Sequence, residues 1–590
     1  MLASGCSRKV KNKAPVSRYT ALPEKKVPEF LKDTIFERTE LANADPYLIS
    51  GFGLVANLDG TGNSDAPNAV RDYMIKQMQQ HRFGSAQQPG FQDIPPERVL
   101  RDPRFALVRV DGYLPPGVRE GDYFDINISA LNQSTTTSLA RGDLYQTELR
   151  TNGASVTNPG GAVNVWARAQ GPVFVNPAYA LGQAPDQASA KQALRRGVVM
   201  DGGRAMTSRP LALRLLQPQR SMARRIEMRI DEYFQEVKPD VIAAAQDEGI
   251  VYLYVPHKFR GDWQHFAALV SHLYLRGSEA FSATKAKQLA EEAVKPGAPL
   301  GDITYCWEGL GPFGLPYYRD LMSHEDTAVA FAAARAAAFL RDPIAPQALA
   351  RIAKIKGDQW QLDAIRTLGA LPNSPSINEL LRPLLNSDQA LVRTETYKVL
   401  AAQNDPAIFS TVIKPQNQPL NEKFVLDVVR SDGSPIIHAT RTGIPRIAII
   451  GDRAQLNLPI TFSAMGGRLT ISSAPNAANV TIFYRAMASP DGGSVAPPVK
   501  VVSRPDLAEI VARLGGEGGS GLNFNYGDVV SILNALTDAK KLSAMANGQR
   551  VPASFVLQEL PFVEDAIFNA PALPDARPQA DEPGKVGMAK

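Results

Sequence analysis

Four glycines within residues 47–67 have a spacing that could serve phosphate binding. The segment reads YLISGFGLVANLDGTGNSDAP, and it contains Gly51, Gly53, Gly60 and Gly62. Glycine-rich turns can present backbone amides to an anion. However, Gly51 and Gly53 are followed by Ala56 rather than a third glycine, and no lysine–serine pair completes a P-loop. The residues therefore favour a structural role, with glycine where the backbone must turn or pass close to another strand.

The spacing of the six histidines does not match a known metal-binding pattern. None of the six stands in an H-E-x-x-H arrangement or beside a cysteine pair. His265 and His272 are close to one face of a predicted helix, but two imidazoles without a third ligand make a weak metal site. Packed or surface histidines are the favoured interpretation, so we predict neither a metal nor a cofactor.

Groups for nucleophilic or acid–base catalysis are not assembled in the sequence either. Cys306 lies between Tyr305 and Trp307, an apolar setting that favours an inert buried thiol. Glu291 and Glu292 are adjacent on a predicted helix and point in different directions, and no G-x-S-x-G elbow occurs. The sequence therefore predicts a protein that is not an enzyme, and a cell-wall enzyme is retained only as a third hypothesis.

Composition indicates a large globular protein. The chain has 590 residues, of which 44% are hydrophobic, and this length suggests about three to five domains. Its 64 basic and 59 acidic residues nearly cancel, and the basic runs are short, so nucleic acid is not the expected partner. No run of 18 apolar residues occurs, which predicts no transmembrane helix.

The two ends of the chain differ from the rest. The opening residues, MLASGC, resemble the lipobox of a bacterial lipoprotein, although a basic and apolar leader does not precede them. Two interpretations stay open: Cys6 is lipidated and anchors the protein to the outer membrane, or it is an ordinary residue. Residues 7–35 are predicted to be a flexible tether, and residues 548–590 an extended, disordered tail.

Hydrophobic spacing predicts an α+β fold. Apolar residues alternate with polar ones from Phe105 and again through 124–130, as in half-buried strands. Residues 163–175 are expected to form a strand pair broken at Gly171-Pro172, and residues 177–204 a loop. Helical spacing marks residues 70–78, a helix capped by Ser221, and two helices near 507–514 and 529–536.

Residues 325–403 are rich in alanine and leucine and contain a loose internal repeat. Three segments begin with an aspartate, and each leads into a helix with one arginine; the aspartates are Asp326, Asp358 and Asp388, and the arginines are Arg335, Arg366 and Arg393. Intervals of about 30 residues favour stacked helical pairs of the HEAT type. A non-repeating helical bundle is the alternative.

Several motifs, in order, resemble the flagellar P-ring protein family. They are GFGLVANLDGTGNS, LPPGVREGDYFDINISAL, LARGDLYQTEL, VNVWARAQGPVFV, an arginine-glycine-aspartate turn and RTGIPRIAIIG. The motif residues singled out are Gly51, Gly53, Asp59, Gly60, Gly62, Pro115, Pro116, Gly121, Arg260, Gly261, Arg441, Thr442 and Gly443. The resemblance covers about 40–278 and 418–547.

The resemblance implies five regions. They are a leader or tether (1–39), a P-ring-like α+β region (40–278), a linker with HEAT-like repeats (279–417), a P-ring-like C-terminal region (418–547) and the tail (548–590). The fold class is thus α+β, with β-rich modules and packed helices interrupted by an all-α insertion.

The function that the resemblance implies is structural and non-catalytic. The chain would form a homo-oligomeric periplasmic ring around the rod of the flagellar basal body, associated with the L-ring and peptidoglycan, and would support motility. The alternative is a lipid-anchored envelope scaffold that recruits a protein partner through its helical repeats.

Overall fold

The computed structural model describes residues 19–80, 95–180, 187–234, 241–414, 423–486, 497–516, 521–546 and 549–558. The chain divides into two compact units. The first is drawn from Met1–Tyr47, Leu114–Asp122 and Thr207–Ala407, and the second from Leu48–Tyr113, Tyr123–Met206 and Ile408–Lys590.

The α-helices of the described residues are α1 (Ile35–Arg38), α2 (Asn68–Gln80), α3 (Pro96–Val99), α4 (Pro177–Ala180), α5 (Gln187–Leu194), α6 (Arg220–Tyr233), α7 (Trp263–His272), α8 (Glu279–Ala293), α9 (Leu300–Leu310), α10 (Thr327–Phe339), α11 (Ala345–Ala353), α12 (Gln361–Ala370), α13 (Pro375–Leu381), α14 (Ala390–Ala402), α15 (Leu507–Gly515) and α16 (Tyr526–Asp538). Short 3₁₀ helices cover Glu29–Leu31, His257–Phe259, Pro312–Tyr317, Arg319–Ser323 and Arg382–Asn386.

The strands are β1 (Thr39–Ala42), β2 (Tyr47–Ala56), β3 (Ala106–Leu114), β4 (Tyr123–Ala130), β5 (Asp143–Arg150), β6 (Val165–Pro172), β7 (Arg196–Ala205), β8 (Leu211–Leu215), β9 (Ala243–Ala245), β10 (Ile250–Leu253), β11 (Ile408–Ile413), β12 (Phe424–Val429), β13 (Ile436–Ala439), β14 (Arg446–Ile450), β15 (Gln455–Leu456), β16 (Thr461–Ala464), β17 (Leu469–Ser472), β18 (Val480–Tyr484), β19 (Val499–Ser503), β20 (Leu542–Ala546), β21 (Gln549–Pro552) and β22 (Ser554–Leu557).

The first unit combines a small antiparallel sheet with helices. Its strand order is β1-β8-β10-β9, and α6 and α7 contribute to the core beside it. Helix α6 buries Ile226 and Ile230 and exposes Arg224 and Arg225, the two-faced pattern that its sequence predicts. The predicted cap at Ser221 is wrong, because Ser221 lies inside the helix. The first helical residue is Arg220, and Gln219 occupies the N-cap position.

The helices of residues 325–403 begin close to the predicted aspartates. Asp326 caps α10 by accepting a hydrogen bond from the backbone N–H of Ala328. Helix α12 follows Asp358, and α14 follows Asp388. The three predicted helices are therefore confirmed, whereas their assignment to the HEAT type stays a prediction.

Two buried aspartates recur within these helices with the same partners. Asp342 follows α10 and accepts hydrogen bonds from the guanidinium of Arg319, 23 residues earlier. Asp405 follows α14 and accepts from Arg382, again 23 residues earlier, at 3.0 and 2.9 Å. Both aspartate side chains are 0% exposed. The same type of ion pair thus spans two stretches of the helical region, 319–342 and 382–405, which are separated by α11, α12 and α13.

The second unit begins with a closed six-stranded barrel in the order β2-β3-β4-β7-β6-β5. Strands β3 and β4 are antiparallel and bury every second side chain over most of their length, which confirms the alternation predicted from Phe105 onwards. Helix α2 packs Val70, Met74 and Met78 against the barrel core, as its helical spacing predicts.

The C-terminal part of the second unit forms three sheets and two helices. The sheets have the strand orders β11-β12-β14-β13-β22, β15-β20-β21 and β16-β17-β18-β19. We call this part, residues 408–558, the C-terminal block. Its core includes Phe424 on β12 and residues of both α15 and α16. It also contains Phe174, Val198 and Met200 from the region of the barrel. The Phe174 and Tyr526 rings lie 5.3 Å apart. The two β-rich blocks, which are the barrel and the C-terminal block, therefore share one hydrophobic core.

Two predicted element assignments are wrong. Residues 163–175 contain a single strand, β6, which pairs with β5 and β7, instead of a strand pair. Residues 177–204 are not a loop, because they contain α4, α5 and most of β7. Strand β7 buries the consecutive residues 197–200 and then passes Gly202 and Gly203 close to neighbouring side chains, so it lacks the alternation that identifies a strand in sequence.

The predicted tether is packed over the part that the structure describes, residues 19–35. Phe30, Leu31 and Ile35 are buried, and the backbone N–H of Leu22 donates to the carbonyl of Leu216 at 2.8 Å. Apolar side chains interrupt the polar composition here and supply the packing that a tether lacks. Cys6 lies outside the described residues. The disordered tail predicted from residue 548 is wrong over 549–557, where β21 pairs with β20 and β22 pairs with β13; the tail beyond residue 558 lies outside the described residues.

Candidate functional site

The glycines of the opening motif lie where β2 passes close to its neighbour in the barrel. A Cβ on Gly51 would come within 2.5 Å of the carbonyl oxygen of Glu148, and one on Gly53 within 2.6 Å of the Thr147 hydroxyl, both on β5. The pairing of β2 with β5 is irregular over this stretch. Gly60 and Gly62 follow the strand, and a Cβ on Gly62 would lie 2.3 Å from the carbonyl oxygen of Phe105.

Asp59, from the same motif, belongs to a charge cluster in the second unit. Its Oδ2 accepts a hydrogen bond from Nη1 of Arg141 at 3.0 Å. Nε of Arg141 lies 3.2 Å from Oδ2 of Asp528, and Nη1 of Arg468 lies 3.5 Å from Asp59. Arg141 precedes β5, whereas Asp528 is in α16. The cluster therefore joins the barrel to the C-terminal block.

Burial and charge act in opposite directions in this cluster. Burial raises the pKa of Asp528, and the Arg141 guanidinium opposes that rise. Burial by itself would lower the pKa of Arg141, but Asp528 and Asp59 outweigh burial and raise it. Arg141 is therefore a fixed cation that holds two carboxylates from different blocks.

The arginine-threonine-glycine turn makes a second set of polar contacts between the barrel and the C-terminal block. We call the two sets of contacts, one at Arg141 and one at Asp125, the joints. Thr442 Oγ1 donates a hydrogen bond to Oδ2 of Asp125 on β4, and the backbone N–H of Gly443 donates to Oδ1 of Asp125 at 3.1 Å. Gly443 has φ of +67°, a conformation that glycine adopts without steric cost. Arg441 is buried beside them, and its backbone N–H donates to Oε1 of Gln558 at 3.1 Å.

Asp125 is available for this joint because β4 is irregular at that position. The pairing of β4 with β7 shifts between Phe124 and Ile126. The backbone N–H of Asp201, on the facing part of β7, donates to Oδ1 of Asp125 at 2.7 Å. One carboxylate thus accepts from its own barrel and from the distant turn.

The remaining motif residues lie in the first unit. Pro115, Pro116 and Gly121 belong to the segment 114–122, and Asp122 at its end pairs with Arg260, with 2.9 Å between Nη1 and Oδ1. Gly261 has open space around its Cα and leads into α7. The proline turn and the arginine-glycine-aspartate turn are therefore brought together.

His265 is buried between two carboxylates of the first unit. Its Nε2 lies 2.9 Å from both carboxylate oxygens of Glu308, and its Nδ1 lies 3.6 Å from Oδ2 of Asp262. Burial lowers the pKa of His265, but the hydrogen bonds to Asp262 and Glu308 outweigh burial and raise it overall. Asp262 also caps α7. The arrangement is typical of a packed ion pair.

Metal and thiol chemistry find little support in this region. Across the described ranges, no group of three or more histidine, cysteine, aspartate or glutamate side chains could hold a metal ion. Cys306 is buried, and burial raises its pKa to about 12, which disfavours the reactive thiolate. The predicted burial of this thiol is confirmed.

Residues 37–282 match the family model described as "Flagellar P-ring protein". This region is similar to the flagellar P-ring family. Three relatives, each named flagellar P-ring protein, agree with that assignment. The protein of Geobacter metallireducens is 30% identical over 234 residues, which are 38% of this chain and 57% of the relative. Those of Geotalea uraniireducens and Geobacter sulfurreducens are 29% and 28% identical, over 55% and 56% of their lengths, again with 38% of this chain.

The P-ring family region contributes to both units. It supplies the four-stranded sheet of the first unit and the barrel of the second, whereas α9–α14 and residues 408–558 lie beyond its last matched residue. By the coverages given above, the chain spans just over half the length of the curated relatives it matches. The P-ring resemblance predicted for residues 418–547 stays a prediction.

The sequence did not identify three residues that make these joints. Asp125 reads as one more polar position in an alternating strand, and Arg141 reads as part of a turn within LARGDLYQTEL. Asp528 reads as a helix-start residue. Positive φ at Arg141, followed directly by Gly142, is a local feature typical of a constrained turn, but the distant partner has no signal in a single sequence.

Proposed function

We propose that this chain is the structural subunit of a flagellar P-ring-like periplasmic ring that surrounds the rod of the basal body. The observation that supports it is the match of residues 37–282 to the P-ring family. The subunit would assemble with identical copies, support motility and perform no catalysis. Closed rings arise from heterologous interfaces whose rotation returns to the starting subunit.

The two joints in the second unit suit such a role. A load-bearing ring subunit must keep its parts in a fixed relation, and Asp125 and Arg141 each tie the barrel to the C-terminal block. By extension, the C-terminal block is proposed as the P-ring-like region of residues 418–547. The regions 1–39, 40–278, 279–417 and 548–590 are proposed with it, the third as a HEAT-like insertion.

The partners that follow from this proposal are the rod, the L-ring and peptidoglycan. A lipid anchor at Cys6 would add attachment to the outer membrane. Within the described ranges, no helix has the length and apolar character that a bilayer crossing requires. The comparisons do not favour the alternative of a lipid-anchored recruiting scaffold, because all three relatives carry the P-ring name.

Electron microscopy tests the proposal directly. Basal bodies would be isolated from the producing bacterium, from a deletion strain and from that strain complemented with the full gene. We expect a ring of density around the rod that disappears on deletion, together with swimming, and returns on complementation. A ring that persists in the deletion strain, or a protein that fractionates with a cytosolic marker, would refute the assignment.

A further inference from the structure

A groove of about 340 Å³ crosses three helices of the first unit. Helices α9, α10 and α12 line it, mainly through Tyr305, Phe331, Arg335, Trp360 and Asp363. These helices lie beyond residue 282, where the P-ring family match ends. Any ligand of this groove therefore belongs to the part of the chain that the family does not account for.

The apolar wall of the groove is aromatic. The rings of Phe331 and Trp360 are stacked, with centroids 4.9 Å apart and 16° between their planes. Tyr305 and Phe339 flank the guanidinium of Arg335, whose carbon lies 4.7 and 5.4 Å from their ring centroids. Such surfaces favour proline rings, aromatic rings and aliphatic side chains.

Arg335 gives the groove a cation whose N–H donors are mostly uncommitted. Its Nη2 donates one hydrogen bond, to the hydroxyl of Tyr305 at 3.3 Å. It forms no ion pair within the part of the chain that the structure describes. Its charge acts on Asp262, which also lines the groove: the hydrogen bond with His265 and, as a smaller cause, the charge of Arg335 lower the pKa of Asp262. An arginine has five N–H donors, so most of its capacity remains open to an acceptor from outside.

The other charged and hydroxyl-bearing side chains of the groove make hydrogen bonds within the chain. Asp363 accepts from Nη1 of Arg366 at 3.2 Å, and Asp262 accepts from the backbone N–H of His265. The hydroxyls of Thr304 and Thr367 donate to carbonyls of their own helices. Arg335 differs from them because most of its five N–H donors are uncommitted. A carboxylate is the acceptor that matches a guanidinium best.

We propose that the groove binds an extended peptide segment of a partner protein in which an acidic side chain stands beside a proline or an aromatic residue. The carboxylate would pair with Arg335, and the ring would lie against Phe331 and Trp360. Packed helices lie roughly 8–10 Å apart, so three of them span about 20 Å. A segment of about six extended residues covers that distance. The inference does not depend on ring assembly.

Packing alone is the competing explanation for Arg335, because a guanidinium between two rings is stabilising without a ligand. The two explanations differ in what they predict for binding. Packing predicts only a loss of stability when Arg335 is changed, whereas the proposal predicts a selective loss of affinity for carboxylates.

An array of blocked hexapeptides tests the proposal with the full chain. Each peptide carries one glutamate or aspartate beside proline or phenylalanine, and each has a twin with glutamine or asparagine. We expect the wild-type chain to bind some acidic peptides at least about tenfold more tightly than their amide twins, since charge-assisted hydrogen bonds are lost in the twin. That preference should weaken as salt is added.

Two variants complete the test. Arg335→Gln should bind acidic peptides and their amide twins equally, whereas Arg351→Gln, on α11 and outside the groove, should keep the wild-type preference. If Arg335→Gln does not fold, Arg335→Lys keeps the charge and should show a reduced but measurable preference. The proposal is wrong if the wild-type chain binds no acidic peptide or shows no preference over the twins. It is also wrong if folded Arg335→Gln retains the preference.

Discussion

Replacing Arg141 with methionine isolates the charge joint between the two β-rich blocks. Methionine keeps much of the length and apolar contact of the side chain and removes its charge. The Asp528 side chain is only 9% exposed, so the variant leaves a buried carboxylate without its counter-ion. Breaking a buried ion pair in this way typically costs about 3–5 kcal/mol. Because Arg141 and Asp59 are themselves partly exposed, we expect about 3 kcal/mol.

The assay is differential scanning calorimetry of the full chain, with attention to the transition of the second unit. For a unit of this size, 3 kcal/mol corresponds to a Tm lower by about 4–6 °C. Adding Asp528→Asn to Arg141→Met should recover much of the loss, since removing both charges leaves no unpaired ion. Arg504→Met, which breaks an exposed pair with Glu509, should cost less than about 1 kcal/mol.

The reasoning would be refuted by an Arg141→Met variant whose Tm is unchanged. It would fail equally if the double variant were as unstable as the sum of the two single variants. In the first case the cluster contributes no net stability, and in the second the two residues do not interact energetically.

Three further predictions concern other parts of the molecule. Gly51→Ala should destabilise the barrel by about 1–3 kcal/mol, measured by chemical denaturation, because the added Cβ would overlap a main-chain oxygen of β5. The control, Gly261→Ala, should change stability little, because there is open space around Gly261. Asp405→Ala should lower the free energy of unfolding by about 2–3 kcal/mol, since it removes charge-assisted hydrogen bonds from Arg382; no shift in thermal melting would contradict that. The pKa of His265 is raised in the folded state, so its positive charge stabilises the fold fully below the ordinary pKa near 6.5, and this stabilisation is lost as the pH rises through the folded-state pKa. The free energy of unfolding should therefore fall with pH above 6.5 in the wild type and fall less in His265→Gln. An equal fall in both proteins would exclude His265 as the cause.

Periodic elements were predictable from the sequence because one face of each is buried. Strands β3 and β4 show the expected alternation, and α2 shows the expected stripe of buried side chains. The helices after Asp326 and Asp358 were also predictable, from aspartates at helix starts. In each case the signal lies within a dozen neighbouring residues.

Strand β7 was not predictable for the opposite reason. It closes the barrel between β4 and β6, and it buries the run 197–200 instead of alternating. Gly202 and Gly203 follow, where a Cβ would overlap Val199 of the same strand and Ile126 of β4, respectively. A buried run that ends in glycines looks like a loop when neither neighbour in the barrel is known.

For each joint, the sequence identified only one of the two partners. The RTG turn and Asp59 were singled out as motif residues, but their partners, Asp125 and Arg141, were not. A contact between residues more than 300 positions apart leaves no periodic mark, since both ends read as ordinary polar positions. Co-variation between positions would have been the physical signal, and one sequence contains none.

The shared hydrophobic core explains how the second unit tolerates so long an interruption. Its chain leaves at Met206 and returns at Ile408, yet Phe174 and Phe424 share one core. Loop-closure free energy grows only by about 0.6 kcal/mol for each doubling of length, so replacing a connection of about ten residues with one of about 200 costs roughly 2–3 kcal/mol. A folded connection, whose ends are held in place, costs less than a flexible one. The charge cluster does not supply this free energy, because most of the loss expected for Arg141→Met is the cost of an unpaired buried carboxylate; burial of apolar side chains in the shared core supplies it.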